Sequence, residues 1–280
     1  MTISGSIIAF LSLFTYLYMI NKFVPSNFSL RSKEKLPKWV KDIPAISSNH
    51  TQVSGILAGF TITVLFLIVG DKYSHAEKII TFSEYTLLGL FLTSFFSYIA
   101  TGISFSLVLE LENNRKFFSF TISSLLYSIS IALSFISLTF LIGSLNYPTL
   151  VIPSLIMTGG TILGSFLALA IPMILLFFLR IRFLSIIFLL SLVTGIGLFI
   201  MSYNYNINTT LLFSLISIFI VLLFSRSMLL FFPSITFLKN NNKQSANIFL
   251  TKELILYIYL VYSFLISFIL YLFHLFIVNI

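Results

Sequence analysis

Long apolar runs separated by short polar breaks dominate this chain. A helix needs about 20 apolar residues to cross a hydrocarbon core about 30 Å thick. Eight runs approach or exceed that length, at roughly 4–20, 52–70, 85–109, 119–143, 150–179, 183–202, 209–232 and 254–278. Backbone groups in lipid must be paired within the protein, so only helices or a closed barrel can span. Barrel strands alternate apolar and polar positions over about ten residues, whereas Ile186-Ile187-Phe188-Leu189-Leu190 is apolar at consecutive positions. The pattern predicts an all-α, polytopic transmembrane helix bundle of about eight spans, with residues 1–280 forming a single integral membrane domain.

Composition agrees and narrows the function classes. Mean hydropathy is +1.08, and 9% of residues are charged, against roughly 25% in an ordinary soluble domain. That polar complement is too small to coat a soluble enzyme, a disordered chain or a nucleic-acid-binding domain, so the expected solvent is a lipid bilayer and no nucleic-acid partner is expected. Cysteine is absent, which removes disulfides, thiolate metal sites and cysteine nucleophiles from consideration.

The excess of basic residues, a net charge of +8, matters through its position. The loop after the first span carries Lys22, Arg31, Lys33, Lys35, Lys38 and Lys41; later odd-numbered loops carry Lys and Arg at 115, 116, 180, 182, 239, 243 and 252. Even-numbered loops carry only Lys72 and Lys78. The positive-inside rule places the odd loops in the cytoplasm and both termini outside the cell membrane. No charged side chain precedes Lys22, the reverse of a secretory signal, so the first run is expected to be a retained span.

Residues 21–51 form the one sizeable cytoplasmic loop in this reading. Leu36, Trp39, Val40 and Ile43 share a helical stripe, with Lys38 and Lys41 off it, Pro37 suited to a first helical position and Pro44 to ending the turn. The expectation is a short interfacial helix with Trp39 at headgroup depth.

Close packing of small residues, not apolarity, holds helices together in lipid. Gly55 and Gly59 share one face of the second span, and Gly160, Gly164 and Ala168 share one face of the fifth. Ser123, Ser130, Ser137 and Ser144 recur at seven-residue intervals in the fourth, with Ser134 among them; such a heptad suits a left-handed crossing. These residues are expected to pack helices within the chain or against another subunit. Pro172 removes one helical hydrogen bond and crowds the Ala168 carbonyl, so a kink is expected there.

Chemistry-bearing residues are sparse. Arg226 lies within the seventh span near its cytoplasmic end, where its side chain can snorkel, while Glu84, Glu110 and Glu253 mark span ends. The lack of mid-span acids argues against a proton-driven pump. Histidines stand only at 50, 75 and 274, with His50 on the opposite side from the others, which disfavours a bis-histidine haem. No nucleotide-binding or metalloprotease motif occurs. One outer-side polar cluster could form from Asp71, His75, Glu84 and His274, with Glu77 in the same loop; the simpler and preferred reading is a solvated charged loop in which Asp71 and Glu77 balance Lys72 and Lys78.

No catalytic residue, metal or cofactor is therefore expected. The sequence reading leans to a non-catalytic anchor or scaffold subunit of a larger membrane complex, respiratory or export, with other membrane subunits or further copies of itself as partners. The alternative is a permease or pore for a neutral or apolar solute.

Overall fold

The computed structural model describes residues 42–70, 84–111, 113–144, 148–177, 181–204, 209–231 and 243–279, together with Leu11, Phe14, Thr15 and Tyr18. Among these residues lie seven long helices: α1 (Ile43–Gly70), α2 (Glu84–Glu110), α3 (Asn113–Ser144), α4 (Pro148–Phe177), α5 (Ile181–Asn204), α6 (Thr209–Phe231) and α7 (Lys243–Asn279). Six contain segments long and apolar enough to cross a membrane, and α6 contributes a shorter apolar stretch, Ile216–Leu229. The described residues are almost entirely helical, and these apolar helices suit contact with a lipid bilayer. The first apolar run, at 4–20, lies mostly outside the described residues.

α1 begins earlier than its apolar run suggests. Residues 43–51, expected in a loop, are its first turns. Pro44 starts this helix instead of ending a preceding one, because the first turn has no internal partner for its N–H groups and loses nothing to proline. The polar run Ser47-Ser48-Asn49-His50-Thr51 is accommodated partly because Thr51 donates to the Ser47 carbonyl at 3.0 Å. Trp39, Lys38 and Lys41 lie outside the described residues.

α3 is the hub of the bundle, packing against α1, α2, α4, α6 and α7. Its face at Leu126, Leu133 and Phe140, interleaved with Ser119, Ser123, Ser130 and Ser137, is buried throughout. α2 turns back on it through Leu111 and presents an equivalent buried seam: Leu87, Leu90, Ser94, Ser97, Thr101, Ser104 and Val108. Alternating steps of three and four residues on both helices give the heptad geometry of a left-handed crossing. α1 lies along α2, and α5 pairs extensively with α7.

The α5–α7 contact is the tightest backbone approach. A Cβ added at Gly195 would come within 2.8 Å of both the Ser263 carbonyl oxygen and Ile266 Cγ2. Only a residue without a side chain fits this position. α4 continues through Pro172 to Phe177 without a break in its helix.

Candidate functional site

Hydroxyl groups make most of the interior polar contacts. On the α2–α3 seam, Ser97 Oγ and Ser130 Oγ lie 2.7 Å apart, and Thr101 Oγ1 is 3.1 Å from the same Ser130 oxygen. One turn along, Ser134 Oγ lies 2.7 Å from Ser94 Oγ and donates to the Tyr98 hydroxyl at 3.1 Å. Ser130 and Ser134 also donate to the Leu126 and Ser130 carbonyls of their own helix. The expected serine seam therefore meets a matching one. Ser137 is buried too, but its described bond is to the Leu133 carbonyl of its own helix.

Other hydroxyl contacts tie the rest of the bundle. Thr139 and Thr158 join α3 to α4 at 3.0 Å; Ser165 and Tyr262 join α4 to α7 at 3.0 Å; Thr194 and the Tyr259 hydroxyl join α5 to α7 at 2.6 Å. Each is closed on both sides by protein, as suits polar atoms removed from water.

The glycine faces behave differently. No atom lies within 4 Å of a Cβ built at Gly55, Gly59, Gly160 or Gly164. They sit among exposed apolar residues: Ile56 and Phe60 on α1, and Ile156, Met157 and Leu167 on α4. Among the described residues no neighbouring helix meets these glycines, and both faces open outward. A small-residue repeat marks a face suited to close approach but does not say whether the neighbour belongs to the same chain. Ala168, Pro172 and Glu84 are placed by their helix backbones alone.

The one described ion pair joins α6 to α7. Arg226 Nη2 donates to Glu253 Oε2 at 2.6 Å, and the Tyr257 hydroxyl donates to Glu253 Oε1 at 3.2 Å. Arg226 is thus not simply a snorkelling side chain. Its charge is met within the bundle by an acid that the apolar pattern marked only as a span boundary.

The outer polar cluster is not brought together among the described residues. Asp71 and His75 lie outside them. His274 packs edge-on against Tyr203 at 4.7 Å and near Phe199 at 6.0 Å, both on α5. No group of three potential metal ligands occurs among the described residues. His50 lies within α1, not in a loop, with its ring stacked on Phe105 at 4.9 Å and edge-on to Tyr127 at 4.8 Å.

Among the described residues the site is thus a hydroxyl-rich interior with two outward-facing glycine surfaces and one ion pair, carried by a bundle of helices able to span a membrane. No protein-family model, no curated protein and no solved structure matches this chain.

Proposed function

We propose that this protein is a non-catalytic membrane subunit, an anchor or scaffold that receives the helices of partner subunits on α1 and α4. One observation carries the reading: the small-residue faces at Gly55/Gly59 and Gly160/Gly164 have open space where a neighbouring helix fits. Lipid tails are as apolar as leucine, so exposed apolar side chains alone draw no partner; small residues that admit close backbone approach do. The Ser97–Ser130, Ser94–Ser134, Thr139–Thr158 and Thr194–Tyr259 hydroxyls are paired with one another, which ties these helices together.

In the full topology we propose, the chain crosses the cell membrane eight times with both termini outside, following its loop charges. The complex would be respiratory or export machinery. The test is purification in mild detergent from the native membrane. Other subunits, or further copies of the chain, co-purifying in fixed ratio and lost on changing Gly160 and Gly164 to Leu support the scaffold. A monodisperse single chain, unaltered by that change, overturns it.

A permease for a neutral solute is the second reading. It is favoured by several buried hydroxyls at the α1–α2–α3 junction that have no partner among the described residues. Solute flux into liposomes holding the lone protein would select it.

A further inference from the structure

Most described serine and threonine side chains in this protein donate to a carbonyl one turn back on their own helix; Thr61, Thr93, Thr121, Ser128 and Ser191 are examples. This is the ordinary refuge of a hydroxyl in lipid. Ser47, Ser54, Ser104, Ser119 and Ser123 do not take it. All five are fully buried, and none of their hydroxyls has a hydrogen-bond partner among the described residues. An unpaired polar group removed from water is costly, so these require an explanation.

Two of them stand opposite each other by register. Ser104 and Ser123 lie one heptad from Ser97 and Ser130 respectively, in opposite chain directions, so the antiparallel seam sets them at one level. The Ser97–Ser130 pair closes at 2.7 Å, whereas Ser104 and Ser123 make no bond. At that level a wedge of rings fills the junction: Phe105 beside Ser104, stacked on His50 and 5.9 Å from Phe120. On the α1 side, a Cβ at Gly102 would lie 3.7 Å from Ser54 Cβ, and Thr51 Oγ1 is 3.4 Å from the Gly102 carbonyl oxygen. His50 itself makes only ring contacts among the described residues, leaving its ring nitrogens as a donor and an acceptor.

We propose that the α1–α2–α3 junction around His50 is a binding site for a small, uncharged, hydrogen-bonding molecule, with Ser104 and Ser123 bridging it and His50 at its edge. Hydroxyls both donate and accept, so a neutral guest with both capacities satisfies them, and nothing among these serines offers a counter-charge to an ion. Water and a small polyol share this chemistry. The site is independent of the glycine faces and stands whether or not the scaffold reading does.

The test uses the full chain in lipid with nitrogen-15 histidine, assigned through His50→Gln, and measures magnetisation transfer from water to the His50 ring. Transfer that persists when glycerol is added identifies water as the guest. Transfer that glycerol displaces identifies a site that takes a polyol. In either case Ser104→Ala with Ser123→Ala should abolish the transfer and lower the melting temperature. No transfer at His50, with the double alanine variant as stable as the parent or more so, overturns the site, because deleting idle buried hydroxyls relieves their desolvation.

Discussion

Arg226 and Glu253 stand 27 residues apart in sequence and meet at 2.6 Å, joining α6 to α7 through a charge-assisted hydrogen bond. Both side chains are about four-fifths buried, at 21% and 20% exposure. Neither charge is affordable alone in that setting. The Arg226→Met and Glu253→Gln variants should each lose roughly 3 kcal/mol, near the lower end for breaking a buried pair. The double variant should recover part of the loss. Denaturant unfolding in detergent, arranged as a double-mutant cycle, measures the coupling; additive losses would show that the pair is incidental.

Gly195 gives the sharpest steric prediction. Alanine there places a methyl group 2.8 Å from the Ser263 carbonyl oxygen, and backbone cannot move aside as a side-chain tip can. Gly195→Ala should separate α5 from α7 and destabilise the protein by about 1–3 kcal/mol, the range for overpacking. A melting temperature equal to the parent's would contradict that close approach.

The four outward glycines should behave in the opposite way. Gly160→Ala adds a methyl into open space and removes a flexible residue from a helix, a change that should stabilise the isolated chain by roughly 0.5–1 kcal/mol. Gly160→Leu with Gly164→Leu should leave the monomer folded while weakening any assembly through α4. Thermal melting and size-exclusion chromatography separate the two effects, and unfolding of the monomer would place these glycines inside the bundle after all.

Interior hydroxyls contribute modestly in membranes, with interhelical bonds averaging about 0.6 kcal/mol. Changing Ser130, Ser134 and Ser137 to Ala removes the α3 partners of Ser97 and Ser94, while the Ser137 bond lies within α3. The triple variant should therefore lose about 1–2 kcal/mol, mostly from the first two positions, and a scaffold should still assemble. Folded protein that has lost solute uptake would favour the permease.

Orientation is open to direct labelling, since the chain has no cysteine to give background. Single cysteines in place of Ser74 or Asn146 should react with an impermeant reagent in intact cells. Those replacing Lys33 or Asn241 should not, if loop charge sets topology. Reaction at position 33 from outside would invert the arrangement.

Helical class and the approximate extents of the described spans were legible because long apolar runs leave lipid-facing backbone few alternatives. The serine repeat on α3 was legible as a face. Its partner was equally present as Ser94, Ser97, Thr101 and Ser104, but steps of three and four stand out less than a repeat of seven. Glycine spacing reported a face without its direction, because Gly160 looks the same whether it meets a helix or open space. The Arg226–Glu253 pair depends on which helices become neighbours, and Gly195 on how closely they approach. Local periodicity contains neither relation. His50 was assigned to a loop because polarity around it outweighed the capacity of small hydroxyl residues to remain helical.

The hub position of α3 has a consequence for how the protein is made. Its hydroxyl-rich stripe would be a burden in the bilayer while later segments were still being synthesised. The helix that covers it, α2, immediately precedes it in the chain, separated by a single turn around Leu111. The two can leave the ribosome and enter the membrane as a hairpin with their polar faces already turned together. The α5–α7 contact, with its Thr194–Tyr259 bond, forms only after α6 has been made. The α2–α3 seam is thus sheltered as it is made, and the nascent chain need not expose it to hydrocarbon.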